Sequence, residues 1–297
     1  RIINTNNLMI KKKIKIKDTK KFSCGGLWTN NKFKETKNLN PLISIITVTY
    51  NSEKFLQETL DSLFKQKYKN FELIIIDGNS TDQTVNIIKK NKKNIDYWIS
   101  ENDKGIYDAF NKGLKLSRGD LIGFVNSDDI LNKNALQILI KYYYRYPEKD
   151  FFFGSVKKHW GILHGFNKWK IFYTWAFYSG HSTGFFIKKK ASKLVGKYKL
   201  KYKYHADWDY MYRMIVHCKL QGIATKKNEV FGVFRRGGFS SKIKYFDHFL
   251  ETIRIRKDNG QAKIIIFFIS IIKYLYNRKR FHRNDILKVI FKKIFLN

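Results

Sequence analysis

The chain has 297 residues, of which 59 are Lys or Arg and 24 Asp or Glu, giving a formal net charge of +35. Hydrophobic residues at 43% and aromatic residues at 16% supply a substantial core for one large domain or one domain with appendages. The charge draws anions (nucleic acid, acidic lipid headgroups, phosphorylated small molecules) without choosing among them, while two distant cysteines, Cys24 and Cys218, outside any C-x-x-C spacing, exclude a disulfide framework or zinc site and fit a reducing compartment.

Residues 1–40 read as a polar, Lys- and Asn-rich lead, broken at Gly25-Gly26. The first residues lack the apolar core and cleavage site of a secretory signal, and Met9 stands as a candidate start. Pro41 opens a more ordered part. Leu42 to Val48 reads as a buried strand, and Ser52 to Gln66 has helical spacing, with Phe55, Leu56, Leu60, Leu63 and Phe64 on one face. Phe71 to Ile76 is a second buried strand ending at Asp77-Gly78-Asn79. Ser80-Thr81-Asp82-Gln83 then fits a capping box, Ser80 capping and Gln83 reaching back. A third strand is expected at Ile95 to Ile99, a helix at Ile106 to Leu116 and a fourth strand at Asp120 to Val125. Phe151-Phe152-Phe153-Gly154 suggests another strand and residues 204–217 a helix.

Continuously apolar strands alternating with helices indicate an α/β fold, a mostly parallel sheet covered on both faces. In such sheets a ligand sits beyond the carboxyl ends of the strands. Tyr50-Asn51, Asp77 and Asp128-Asp129 all fall at such ends, so three strand ends direct polar groups to one crevice. Taken alone, Asp128-Asp129 reads first as a cap before Lys133-Asn134-Ala135-Leu136. The convergence favours the other reading, a divalent cation held by carboxylate and bridging a diphosphate. P-loop and G-x-G-x-x-G patterns are absent.

Five stretches, ISIITVTYNSEKFLQETLDSLFKQ, FELIIIDGNSTDQT, ENDKGIYDAFNKGL, GDLIGFVNSDDIL and HADWDYMYRM, carry a resemblance in their order and spacing. The chain resembles the family-2 inverting glycosyltransferases of the GT-A fold over residues 42–240, most strongly over 42–131. The lead GGLWTNNKFK and Gly237-Gly238-Phe239-Ser240 resemble a bacterial subgroup that builds surface polysaccharides, of the O-antigen and colanic-acid kind. The resemblance implies a Rossmann-like GT-A domain over 41–240, with a nucleotide-sugar half at 41–131 and an acceptor half at 132–240.

It also implies roles. Thr49 and Tyr50 would lie against the nucleotide base, and Asp77 near base and ribose. Asp103 and Lys104 would meet ribose or diphosphate. Asp128 and Asp129 match the D-x-D region, with Asp129 as the metal ligand for Mg²⁺ or Mn²⁺ and Asp128 nearer the ribose. Asp207 matches the base that deprotonates the acceptor hydroxyl. Two positions depart from the pattern: Gly78 stands where some members carry a second, base-reading acid, and Asn126 where many have Asp.

The chemistry suits these residue types. A cation stabilises the departing diphosphate, so one carboxylate is needed there and one base on the opposite face of the sugar. A single displacement then inverts the anomeric carbon, as in inverting glycosidases. Of the two acids in His205-Ala206-Asp207-Trp208-Asp209, Asp209 has Arg213 at i+4 as an ion-pair partner. Asp207 has Met211 there, which leaves it freer to act as base; it reads equally as a helix-start acid.

Further candidates on the acceptor or diphosphate side are His181, Arg213, Arg235 and Arg236. His181 reads as an acceptor neighbour or a packed histidine, and Arg235-Arg236-Gly237-Gly238 as a basic lip or a solvated turn. Residues 241–297 form a basic amphipathic helical segment, with an apolar stretch from Ile264 to Ile272 about half the length that spans a bilayer. It reads as an interfacial helix on an anionic membrane, a nucleic-acid surface, or plain packing; the first suits a lipid-linked acceptor, and no nucleic-acid motif supports the second. The expected protein is thus a cytoplasmic enzyme, peripheral on the inner face of a bacterial membrane, that moves a sugar from a nucleotide-sugar onto a surface glycan. The competing readings are a sugar-phosphate nucleotidyltransferase and a non-catalytic membrane- or nucleic-acid-binding protein on the same scaffold.

Overall fold

The computed structural model describes residues 22–37, 39–173, 182–235, 244–280 and 286–296. In chain order the strands are β1 Phe22–Gly25, β2 Ile43–Thr49, β3 Phe71–Asp77, β4 Tyr97–Glu101, β5 Leu121–Phe124 and β6 Ile130–Leu131, then β7 Phe151–Phe153, β8 Ser155–Lys158, β9 Gly161–Leu163, β10 Phe185–Lys188, β11 Gly222–Ala224 and β12 Val230–Val233. The helices are α1 Leu56–Phe64, α2 Thr84–Lys90, α3 Ile106–Leu116, α4 Ala135–Arg145, α5 Lys170–Tyr173, α6 Lys189–Val195, α7 Ala206–Tyr212, α8 Tyr245–Asp258, α9 Lys263–Tyr276 and α10 Ile286–Phe291.

An eight-stranded sheet runs β1-β4-β3-β2-β5-β10-β7-β11. Its centre is parallel: β2 pairs with β3 from Ile43↔Phe71 to Thr49↔Asp77, and β3 with β4 up to Asp77↔Ser100. β2 and β3 are buried at every residue, as their unbroken apolar runs require in a sheet covered on both faces. α3 matches its expected span and lies close on β2, because Gly113 lacks the Cβ that would stand 2.4 Å from Ile46 Cγ2. The register carries Thr49, Asp77 and Ser100 to one rim, abreast.

β10 runs antiparallel to both β5 and β7, so the sheet is mixed beyond its centre. A smaller sheet, β6-β12-β8-β9, stands beside it, and β12 pairs antiparallel with β6 at Val233↔Ile130. That pairing carries the chain from Val233 directly to Arg235, beside the Asp128-Asp129 loop.

Three expectations shift. The polar lead does not stand apart: β1 adds antiparallel to β4, and Trp28 is fully buried, stacked on Tyr97 at 5.3 Å. The capping box does not form. Ser80 turns its hydroxyl to Asp77, the N–H of Gln83 goes to Glu53, and α2 begins only at Thr84, whose N–H is accepted by Asp82. The helix expected over 204–217 is α7 followed by a π-helical turn at Arg213–His217. The C-terminal helices have a small core of their own, with Phe249, Ile253, Ile266, Ile286, Ile290 and Ile294, while Ile255 of α8 joins the main core.

Candidate active site at the strand rim

Asp77 anchors the rim from inside. It is fully buried, and its carboxylate accepts four hydrogen bonds: Thr49 Oγ1 at 2.7 Å and Ser80 Oγ at 2.5 Å on Oδ1, the Ser80 N–H at 2.9 Å and Ser100 Oγ at 2.6 Å on Oδ2. The loops after β2 and β3 are tied again by Asn51 N–H to Ser80 Oγ, Thr81 N–H to Asn51 Oδ1 and Ser52 N–H to Thr84 Oγ1. Asn51 and Asn79 both take left-handed backbone, φ 46° and 64°, which Asn tolerates better than most side chains. With its oxygens fully engaged, Asp77 acts on the rim through its neighbours, and its own carboxylate is not open to a further donor.

Tyr50 is 65% exposed on this rim, and Thr49 beneath it is buried. A Cβ on Gly78 would lie 2.7 Å from Asp103 Oδ2 and 3.4 Å from Tyr50 Cδ2. Glycine at 78 therefore lets the Asp103 carboxylate close over the backbone beside the Tyr50 ring. The missing acid at position 78 and the acid at 103 fill the same space. Asp103 also accepts the Gly105 N–H at 2.8 Å, and burial raises its carboxyl above the ordinary range. Lys104 beside it is exposed.

The acidic loop is clamped from below. Thr59 Oγ1 on α1 lies 2.9 Å from Ser127 O and 2.8 Å from Asp129 O; Ser62 Oγ accepts the Leu131 N–H; Gln66 Nε2, just past α1, donates to Asn132 O. Ser52 and Ser127 meet hydroxyl to hydroxyl at 2.8 Å. The two acids differ sharply in setting. Asp129 is fully buried and its Oδ2 accepts a hydrogen bond from Thr183 Oγ1; burial pushes its carboxyl up to about 7. Asp128 is half-buried at the crevice, and burial raises it while the charge of Arg235 opposes the rise.

Arg235 pairs with Glu58 and lies over the Phe55 ring at 4.7 Å, with both acids of the loop within reach of its charge. Lys158, at the end of β8, is a cation the sequence reading missed. It lies over the Phe234 ring at 4.7 Å, burial lowers its pKa, and the charge of Asp129 opposes that. Its only sequence signal was a lysine closing a short strand, which is common. Thr183, also missed, lies two residues from His181 in a stretch that drew notice for its histidine. His181 and Arg236 fall outside the described residues. No group of three or more His, Cys, Asp or Glu placed to hold a metal occurs among the described residues. Asp128, half-buried at the rim, offers the kind of carboxylate oxygen that a divalent cation takes.

Asp207 opens α7 and is exposed, yet the depth of protein around it raises its carboxyl above the ordinary range. Oδ1 accepts Tyr107 Oη at 3.0 Å and the Trp208 N–H at 2.8 Å; Oδ2 takes no hydrogen bond from a described residue. Tyr107 comes from the first turn of α3, the helix that follows the Asp103-Lys104 turn, so Asp207 is tied to the start of that helix. Asp209, fully buried, is paired with Arg213 at 2.8 Å and Lys199 at 3.2 Å and takes a bond from Asn259. Arg213 leaves the candidate contacts to acceptor or diphosphate: its remaining nitrogens donate to Val195 O and Lys197 O, so its guanidinium is a structural clamp. An open depression of about 730 Å³ lies between α1, β6, α4 and β12, lined by Lys65, Asn132, Lys133 and Glu229 among others, and none of the strand-rim candidates lines it.

The sequence model for Glycosyl transferase family 2 matches residues 44–208. A PGL/p-HBAD biosynthesis glycosyltransferase of Mycobacterium tuberculosis is 30% identical over 186 residues, 58% of this chain and 69% of that protein. The poly(ribitol-phosphate) beta-N-acetylglucosaminyltransferase TarS of Staphylococcus aureus is 39% identical over 99 residues, 32% of this chain but only 17% of TarS. Among solved structures, S. aureus TarS 1-349 in complex with UDP-GlcNAc superposes with a TM-score of 0.65 at 19% identity, covering 85% of this chain and 81% of that one. The mannosyltransferase PcManGT of Pyrobaculum calidifontis, in complex with GDP-Man and Mn2+, gives 0.58 at 16% identity, over 92% and 77%. At these identities the structural likeness is one of fold.

Proposed function

Because the chain belongs to glycosyl transferase family 2, we propose that it moves a sugar from a nucleoside diphosphate to a hydroxyl of a glycan acceptor in one inverting displacement. The observation that carries this reading is Asp207. It is an exposed carboxylate with one oxygen held by Tyr107 and Trp208 and the other open, beside the first turn of the helix that leaves the Asp103-Lys104 turn.

In this reading Tyr50 stacks on the nucleobase, and Asp103, filling the room over Gly78, accepts a hydrogen bond from base or ribose. A divalent cation, Mg²⁺ or Mn²⁺, when bound, neutralises the diphosphate leaving group. Asp128 is the carboxylate we assign to hold it. Asp129, which the motif alone ranked first, braces the loop against Thr183. Arg235 and Lys158 face the diphosphate, and Asp207 Oδ2 takes the acceptor proton as the hydroxyl attacks the anomeric carbon. Family membership sets aside the nucleotidyltransferase and non-catalytic alternatives.

We further assign the C-terminal helices to an anionic lipid surface, which suits a lipid-linked acceptor. On α9, Ile264, Ile265, Phe268, Ile272, Leu275 and Tyr276 are all exposed, at spacings that form one helical face. Basic residues Lys263, Arg278 and Lys279 flank it. No described helix is long and apolar enough to cross a membrane. Phe268→Glu with Ile272→Glu should release the protein from vesicles containing anionic lipid; unchanged sedimentation excludes this face as the anchor.

The function is tested by a donor-hydrolysis screen of UDP-, GDP- and dTDP-sugars with Mg²⁺ or Mn²⁺, starting with UDP-GlcNAc and GDP-Man. Nucleoside diphosphate release in one lane, lost in Asp207→Asn while donor binding persists, supports the reading. Equal turnover in that variant removes Asp207 from the mechanism.

A further inference from the structure

Tyr107 is buried inside the wall between α3 and α7, and its hydroxyl has one proton but two acceptors. Oη lies 2.8 Å from Tyr204 O and 3.0 Å from Asp207 Oδ1. Its ring is fixed on both sides, stacked on Tyr198 at 5.8 Å and edge-on to Phe110 at 6.1 Å, so the oxygen stays put while its hydrogen is free to turn. The acceptor carbonyl is fixed as well: Glu251 on α8 accepts the N–H groups of Lys203 at 2.6 Å and Tyr204 at 2.8 Å.

We propose that Tyr107 is a positioning residue whose single hydroxyl proton switches acceptor as Asp207 changes protonation state. The proposal rests on the reading of Asp207 as base. While Asp207 is ionised, Tyr107 donates to Oδ1 and stabilises the carboxylate. When the acceptor's proton has moved to Oδ2, Oδ1 becomes an uncharged and weaker acceptor, and the Tyr107 hydrogen turns to Tyr204 O. No proton enters or leaves Tyr107, and its hydrogen has an acceptor in both states. The arrangement lets a carboxylate surrounded by protein remain ionised before transfer and lowers the cost of holding the proton after it.

The groups facing Asp207 leave this role to Tyr107. Glu251 on α8 is a like charge that raises Asp207, and His205, just before α7, is held neutral, pushed down to about 3 by burial and the neighbouring charges of His248 and Lys273. Arg256 of α8 lies over the Trp208 ring at 4.7 Å. Tyr107 is the side-chain donor to the carboxylate among the described residues.

The test is a comparison of the intact protein with Tyr107→Phe, which keeps the ring packing and removes only the hydroxyl. Aspartate labelled with carbon-13 at the carboxyl is titrated by NMR, and the resonance absent from Asp207→Asn identifies Asp207. Its midpoint should move up by about one pH unit in Tyr107→Phe, the size expected for loss of one hydrogen bond to a charged group. The acidic limb of the rate of UDP-GlcNAc hydrolysis should move up with it. A midpoint that stays within about 0.2 of the parent overturns the proposal. Normal turnover in Asp207→Asn sinks the base assignment instead, so the two failures are distinguishable.

Discussion

The rim proposed to take the nucleotide and the segment of the proposed base are held together by different means. On the rim, the loops after β2, β3 and β4 are bound to each other by side chains no more than 32 residues apart, with Asp77 at their centre. The base segment is held from afar: Tyr107 reaches Asp207 across 100 residues, and Glu251 reaches Tyr204 across 47. Asp258 and Asn259, at the end of α8, add bonds to Tyr202 and Asp209. These loops are closed by near neighbours within the single run β2-α1-β3-α2-β4. A base fixed by α8 depends on residues beyond the 44–208 span that defines the family. In the proposed mechanism that span carries the chemistry, and the segment after it carries part of the aim.

The largest expected effect separates the two regions outright. Asp207→Asn should lower transfer by about a thousandfold while nucleotide affinity stays within about twofold of the parent, measured by calorimetry beside turnover. Asp77→Ala should do the reverse, acting through stability: three hydroxyls and an N–H lose their acceptor, costing on the order of 4 kcal/mol in a urea melt, with nucleotide affinity falling in step. Glu251→Ala sharpens the contrast. It frees the amides of Lys203 and Tyr204, and kcat should drop about tenfold with donor KM unchanged, since the rim is untouched.

The effect with no expected consequence for turnover lies in α9. Lys273 is buried against Tyr245, Phe249 and Thr252, and no carboxylate pairs with it among the described residues. Burial, then the charge of Arg256, lowers its pKa to about 7. Between that value and the lysine's unfolded pKa the unfolded chain binds the extra proton. Stability should therefore be lowest below about pH 7 and rise toward pH 10, by at most about 1.4 kcal/mol per unit. Lys273→Met should be more stable at pH 7 and lose that rise, as read by thermal melts across the range.

The same contrast explains what could be read in advance. Buried strands and amphipathic helices are local patterns, so β2, β3 and α3 were legible, and α3 even to its ends. Strand-rim residues follow from knowing where parallel strands stop. Trp28 was misplaced because a polar neighbourhood hid one aromatic that a distant strand buries. Asp207 looked partnerless because only its own helix was in view; Tyr107 is invisible as its partner until α3 and α7 meet. The engagement of Asp129 by the protein was likewise beyond reach, since Thr183 bonds it from 54 residues away.

A crystal structure of the protein with Mn²⁺ and UDP bears most directly on the assignment of the rim. The ion is expected in direct contact with Asp128 and both phosphates, with the uracil beside Tyr50 and Asp103 and with Asp129 still bonded to Thr183. A nucleotide seated away from the Tyr50 rim, or an ion that bypasses Asp128, would contradict it.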